Sequence, residues 1–358
     1  MDKLFWKDKR VLITGHTGFK GTWLAMILQY VGAKVIGYAL PPPTHPNMFE
    51  LVNADQEMES VEGDVRDFNH LKTIVEQRKP EIIFHLAAQA IVFRSYRDPI
   101  ETYSTNIMGT VNVLESIHQT AHTKAVVNVT SDKCYENQDW VWGCRESDLL
   151  GGVDPYSSSK ACSELITSAF RRSFFSQKKT SEPDVRVATA RAGNVIGGGD
   201  WSEYRLVPDC FRAWTNQEKM MIRFPNAIRP WQHVLEPLYG YLKLAQVLYE
   251  GKPESEGSWN FGPSSPNVQS VQNVVEMIAS LWGDQAKWQL DEGSNPDEAY
   301  YLKLDCSKAK IKLGWSLVWD LETTIQHTVD WFKTYLNTPE IIREKTIGQI
   351  EQYFSEIH

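Results

Sequence analysis

The chain has 358 residues, 42% hydrophobic and 23% charged, so it has the makings of a folded globular protein rather than a disordered one. Its net charge of −8, with no basic block, argues against nucleic acid or an anionic membrane surface as the main partner. A nucleotide ligand stays open, because it needs only a local nest and a few basic groups. The five cysteines are odd in number and form no C-x-x-C pair, which points away from a zinc site or disulfide frame and towards a reducing compartment. No apolar run approaches the roughly 18 residues of a membrane span, and residues 1–10 carry no apolar leader core. A soluble cytoplasmic protein is expected.

Residues 11–13 are a run of β-formers followed by Gly15-x-x-Gly18-x-x-Gly21, and an apolar helical pattern starts at Trp23. Strand, glycine turn and helix open a dinucleotide-binding βαβ unit. The glycines let the backbone approach a pyrophosphate, and the helix points its positive end at that charge. Leu24, Ile27, Leu28 and Val31 keep helical spacing up to Gly32. Residues 34–40 read as the second strand. It ends in Tyr38-Ala-Leu40 before Pro41-Pro-Pro43, without the acidic residue that usually bonds the adenosine ribose of NAD. No arginine stands immediately there for a 2′-phosphate, so this strand does not choose between NAD and NADP.

A third strand is expected over 58–64 and a helix over 68–78. A buried strand over 81–89 ends in the small residues of Leu86-Ala-Ala-Gln89, which suit either close cofactor approach or tight packing. A long helical stretch over 98–118 carries Asn106. Residues 125–131 form the next strand and run into Asp132-Lys133, charges that are costly at the end of a buried strand unless paired or used. Tyr156-Ser-Ser-Ser-Lys160 opens a helix, with the two side chains one turn apart on one side. An ammonium beside a phenol should lower the tyrosine pKa and make the pair a base for a sugar hydroxyl. A sixth parallel strand over 185–193 closes a Rossmann-like doubly wound sheet near residue 195. Beyond it lie helices over 206–216, 235–249, 271–282, 321–335 and 341–353 and short strands over 221–224 and 232–234. These make a smaller α+β substrate lobe, so the division is 1–195 for the cofactor and 196–358 mainly for substrate, interleaved with segments returning to the first lobe. The aromatic residues of the last helices are expected in the core.

Taken together, the glycine fingerprint, Gly63-Asp64, Leu86-Ala-Ala88, Ser131-Asp132-Lys133, Tyr156-x-x-x-Lys160, Arg191-Ala-Gly-Asn194-Val and Arg229-Pro-Trp resemble, in order, the nucleotide-sugar branch of the extended short-chain dehydrogenase/reductases. The resemblance implies a bound NAD, held by Gly15, Thr17, Gly18, Phe19, Lys20, Gly21, Asp64, Val65, Leu86, Ala87, Ala88, Tyr156 and Lys160. It implies Asp64 facing the adenine and Asn106 orienting Lys160 through water. It implies a nucleotide-sugar substrate contacted by Gln89, Asn194, Arg205 and Arg229. An interdomain ion pair is the other use of Arg229, and His233 reads as structural.

Relatives acting on TDP-glucose carry Thr-Asp-Glu where this chain has Ser131-Asp132-Lys133, and simple epimerases usually carry neither charge. Asp132-Lys133 therefore implies a dehydratase, and the lysine implies the branch acting on CDP-glucose. Implied roles are Tyr156 with Lys160 as base at the sugar 4-hydroxyl, Ser131 as donor to the developing ketone, Lys133 as base at C5 and Asp132 as acid at the leaving 6-hydroxyl. Lys133 would be held partly neutral and Asp132 protonated by their surroundings. The family also implies bacterial O-antigen sugar synthesis, and a homodimer or homotetramer paired through helices over 98–118 and 156–178. No metal is expected. The alternatives are another nucleotide-sugar dehydratase, a 4-epimerase, or an NAD-sensing regulator, which would be expected to lack the Tyr–Lys pair.

Overall fold

A computed structural model describes residues 2–120, 122–175, 184–263, 268–291, 293 and 301–357. The strands are β1 (Arg10–Thr14), β2 (Lys34–Ala39), β3 (Met58–Glu62), β4 (Ile82–His85), β5 (Ala125–Val129), β6 (Arg186–Arg191), β7 (Val195–Ile196), β8 (Met220–Ile222), β9 (Ile228–Pro230), β10 (Gln232–His233), β11 (Gly257–Asn260), β12 (Val268–Ser270) and β13 (Trp288–Leu290). The α-helices are α1 (Lys3–Trp6), α2 (Phe19–Tyr30), α3 (Met48–Leu51), α4 (Phe68–Arg78), α5 (Val92–Arg97), α6 (Pro99–Tyr103), α7 (Gly109–Thr120), α8 (Pro155–Phe170), α9 (Leu206–Thr215), α10 (Leu235–Tyr249), α11 (Val271–Trp282), α12 (Ser307–Leu313), α13 (Leu321–Asn337) and α14 (Ile342–Ser355).

Seven strands form one sheet in the order β11-β6-β5-β4-β1-β2-β3, and every pairing in it is parallel. This is the doubly wound Rossmann-like architecture expected. Alternation along each strand separates two cores. Val11, Ile13 and Phe84 face one cluster, while Leu12 and Ile83 face the other. The second cluster is closed by Leu71, Ile74 and Val75 of α4 and by Val113, Leu114 and Ile117 of α7. The first takes in α2 and α10 and continues through Trp214, Trp315 and Trp331 to Tyr353. The last helices do bury their aromatic side chains.

The sheet differs from expectation in one respect. The strand over residues 186–191 is not its edge, because β11 returns from beyond residue 250 and pairs along it. α2 begins at Phe19 and not at Trp23, so Gly21 sits inside the helix. A Cβ on Gly21 would lie 2.1 Å from the Gly15 carbonyl oxygen, and Gly15 itself has φ +78. The two glycines thus press helix and turn together, and Gly15 takes the left-handed turn. The stretch expected as one helix over 98–118 is α6, a π-helical turn over Ser104–Met108 and then α7, preceded by the separate α5. α8 gives way to a π-helical turn over Arg171–Phe175, and the expected continuation over 176–178 lies outside the described residues. Among the described residues no helix is long and apolar enough to cross a membrane.

One buried carboxylate staples the C-terminal helix to this frame. Glu236 on α10 is fully buried and accepts from the Val318 and Trp319 backbone amides and the Tyr353 hydroxyl. No cation is among these partners, and burial raises its pKa to about 7 despite the three donors. A folded pKa above the unfolded one stabilises the fold below the unfolded value, and that contribution is lost as pH rises through the folded value. The expected outcome is that Glu236→Gln gains on the parent by up to about 3 kcal/mol between pH 4.5 and 8.5 in urea unfolding. A stability gap that stays flat over that range contradicts the assignment.

Candidate active site

The sheet order reverses at β1, whose neighbours β4 and β2 carry the chain to opposite sides. Ligands bind at the carboxyl ends of strands at such a switch point. A cavity of 1170 Å³ opens there. It exceeds the roughly 300–1,000 Å³ typical of a site for one drug-sized ligand.

Its cofactor arm is built from the turn after β1. Gly15, Thr17, Gly18, Phe19, Lys20 and Gly21 line it. A Cβ on Gly18 would meet only the Gly15 carbonyl oxygen, at 3.5 Å, so the turn presents bare backbone to the cavity. The Thr17 hydroxyl donates to the Leu40 carbonyl and ties this turn to the end of β2. Asp64, Val65, Leu86, Ala87 and Ala88 continue the lining. The Asp64 carboxylate is held by the Arg66 guanidinium, which lowers its pKa. Beneath the turn, buried His16 fills the space above Gly37 of β2 and bonds the Ser60 hydroxyl at 2.7 Å. A pyrophosphate-linked dinucleotide fits this bare glycine turn and the small residues facing it.

Deeper in, Tyr156 and Lys160 line the cavity from the first turns of α8. Asp154 caps that helix and Pro155 starts it, a sequence that favours initiation here. The Lys160 ammonium donates to the Val129 carbonyl at 3.2 Å. Burial lowers its pKa to about 8, and Glu164 opposes that shift. Tyr156 corrects the expectation from spacing. Burial raises its pKa to about 12, and the largest opposing influence is a hydrogen bond with Ser131 rather than the lysine charge.

Ser131, Asp132 and Lys133 form no strand end but a 3-10 turn capped by Ser131 after β5 stops at Val129. The Ser131 hydroxyl donates to one Asp132 carboxylate oxygen at 3.0 Å. The other oxygen is buried without a hydrogen-bond partner. A Cβ on Gly193 would lie 1.6 Å from that oxygen, so only glycine leaves the carboxylate room. Gln89 and Arg205 also line the cavity, whereas Ser131, Asp132, Lys133, Asn194 and Arg229 lie outside its lining. Gln89 is locked by Thr102 and, through its backbone amide, by Asn106, which also bonds Ser159. Asn194 has left-handed backbone, φ 40, and Arg229 is buried on β9, donating to the Ile228 carbonyl. His233 is enclosed by Trp23 and Trp319, a structural place as expected.

Three cations converge on this space. Burial, then Arg205 and Lys160, push the Lys20 pKa down to about 7. Arg205 pairs with Asp200 at 2.9 Å. Such a cluster suits a diphosphate. Among the described residues no group of three or more His, Cys, Asp or Glu is placed to hold a metal ion.

The residue that sequence reasoning missed is Glu164, two turns beyond Tyr156 on α8. Its carboxylate pairs with Arg191 at 2.7 Å, both side chains 2% exposed. Thr130, Thr189 and Ser258 hydroxyls donate to the same carboxylate. The i, i+4, i+8 spacing of Tyr156, Lys160 and Glu164 was the available signal. Breaking one partner of such a pair leaves a buried charge uncompensated. Glu164→Ala should therefore lose about 3–5 kcal/mol in urea unfolding. Glu164→Leu with Arg191→Met should recover much of that loss, and equal losses in single and double variants would count against the pair.

A family model for GDP-mannose 4,6 dehydratase matches residues 12–181. The chain is 53% identical over 343 residues to the CDP-glucose 4,6-dehydratase of Salmonella typhimurium, covering 96% of this chain and 95% of that protein. Among solved structures, an epimerase from Methanothermobacter thermautotrophicus superposes with TM-score 0.81 at 23% identity, covering 96% and 97% of the two chains. The dTDP-glucose 4,6-dehydratase of Bacillus anthracis, solved with NAD, gives TM-score 0.75 at 23% identity over 91% and 97%. The chain belongs to the nucleotide-sugar dehydratase family of the extended short-chain dehydrogenase/reductases.

Proposed function

We propose that the chain is an NAD-dependent CDP-glucose 4,6-dehydratase, a hydro-lyase that turns CDP-D-glucose into CDP-4-dehydro-6-deoxy-D-glucose and water. The observation that carries this is the buried, unpartnered Asp132 carboxylate oxygen next to Ser131, which is itself bonded to Tyr156. An epimerase has no use for a proton donor there. The 53% identity to a relative of that name supports the substrate.

NAD, held by the glycine turn, Asp64–Val65 and Leu86–Ala88, supplies the hydride acceptor at C4 and the donor at C6, with no net redox change. Tyr156 takes the proton from the sugar 4-hydroxyl. With its own pKa raised by burial, it draws phenolate character from the Ser131 hydrogen bond and the Arg205 charge, with Lys160 assisting from one helical turn away. Ser131 donates to the oxygen that becomes the ketone. The ketone acidifies C5–H, and Lys133 removes that proton. Asp132 gives its proton to the 6-hydroxyl oxygen as water leaves, and C5 is reprotonated when C6 is reduced. Arg205, Asn194 and Arg229 hold the diphosphate, and Lys20 stands with the glycine turn that holds the cofactor. In this reading residues 1–195 carry the cofactor and 196–358 mainly the substrate.

Cytoplasmic action in O-antigen dideoxysugar synthesis follows from the family resemblance. A homodimer or homotetramer is supported by the exposed apolar side chains of Ile100 (81%), Met108 (50%) and Leu165 (59%) on α6, the π-helical turn after it and α8. A monomer mass in light scattering would remove the oligomer.

The test is incubation of protein and NAD with CDP-glucose, TDP-glucose, UDP-glucose and GDP-mannose in turn, read by mass spectrometry. Loss of one water from CDP-glucose alone, without net NADH, is expected. Tyr156→Phe should lower kcat by about 10²–10⁴. Water loss from another nucleotide sugar overturns the base assignment, and an inverted stereocentre at unchanged mass makes the protein an epimerase.

A further inference from the structure

Tyr204 stands in backbone that a residue with a Cβ rarely adopts, φ 62, immediately before Arg205. Local sequence does not explain it, since glycine or asparagine would take that turn more readily. The ring does. Tyr204 stacks on Phe93 of α5 with centroids 4.9 Å apart and planes 11° from parallel. The Arg97 guanidinium lies 5.6 Å from the Tyr204 ring centroid and donates to its hydroxyl at 3.1 Å. Arg223, just beyond β8, lies 4.5 Å from the Phe93 centroid.

These contacts join two sides of the cavity. α5 follows the Leu86–Gln89 floor, while Tyr204 and Arg223 belong to the chain beyond residue 195. Arg97, Tyr204 and Arg205 all line the cavity. Tyr204 remains 37% exposed, so the stack is a wall of the cavity rather than part of the core. Arg205 is anchored from one side by Asp200 and stands close enough to Tyr156 and Lys20 to influence both.

We propose that the Phe93–Tyr204 stack is a clasp across the cleft that holds the Tyr204 turn left-handed and thereby aims Arg205 at the substrate diphosphate. Phe93 and Tyr204 are positioning residues, since neither touches the reacting atoms. The inference rests on the reading of Arg205 as a diphosphate ligand. An arginine aimed by stacked rings costs less ordering on binding than one free to sample rotamers. Losing the clasp should therefore weaken substrate binding while the bond-making groups stay in place.

The experiment uses NAD-saturated protein, with Kd for CDP, which carries the diphosphate and is not turned over, from calorimetry and KM and kcat from product formation on CDP-glucose. Phe93→Ala is expected to raise Kd and KM together by about ten-fold, with kcat within about two-fold and NAD affinity unchanged. Phe93→Leu, which keeps apolar bulk but not the stack, should show the same split and covers a folding failure of the alanine variant. Arg205→Ala should weaken binding at least as much, and adding Phe93→Ala to it should weaken binding no further. Unchanged Kd in both Phe93 variants, or additive losses in the double variant, overturns the clasp while leaving Arg205 as a ligand. Unchanged Kd in Arg205→Ala overturns the diphosphate reading and the clasp with it.

Discussion

The ion pair between Glu164 and Arg191 is the constraint on which the proposed reactive centre depends. Burial works against both charges, and each still stabilises the other's charged form. Such pairs add little net stability over a well-packed apolar pair, so their value is geometric. Here the geometry is specific. Glu164 is one turn past Lys160 on α8, Thr130 stands beside Ser131, and Tyr135, two residues beyond Lys133, accepts from Arg191 at 2.7 Å. Two residues past Arg191 is Gly193, whose missing side chain leaves room for the Asp132 carboxylate. One buried cage thus fixes helix, turn and strand relative to each other, and every proposed proton donor or acceptor hangs from one of the three.

Electrostatics then distinguishes the two arms of the cavity. Lys20, Lys160 and Arg205 face Asp132 and Asp200, and burial has pulled the two lysines towards neutral pH, to about 7 and about 8. A diphosphate among these groups favours their charged forms. In the proposed reading, capture of the diphosphate is linked to proton uptake, so affinity falls as pH rises through these values. The adenosine end is built differently. It relies on bare backbone and small side chains.

What the sequence disclosed depended on whether the signal was local. The helices over 68–78, 235–249 and 271–282 agree at both ends, because apolar period and caps such as Asp67 and Ser270 lie within a few residues. The glycine turn and the Tyr156–Lys160 pair were legible for the same reason. β11 was not. Gly257-Ser-Trp-Asn260 has no alternation, and only pairing with β6 makes it a strand. The partnership of Glu164 with Arg191 spans 27 residues and leaves no mark in either neighbourhood. The protonation of Tyr156 was misjudged because spacing gives the direction of a neighbouring charge but not the burial that outweighs it. Ser131 read as the end of the strand, but β5 stops at Val129 because the Ser131 hydroxyl turns to cap the 3-10 turn that follows.

The late return of β11 has a bearing on how the chain is made. Ser258 completes the shell around Glu164, and Asn260 accepts from the Tyr135 hydroxyl that holds Arg191. During synthesis, α8 and β6 leave the ribosome well before this strand does. At about 5–20 residues per second, the interval between residues 164 and 260 is on the order of ten seconds. Over that interval the nascent sheet has an open edge beside two charges not yet shielded from water. The proposed reactive centre, although its candidate residues belong to the first half of the chain, comes into being only with the second.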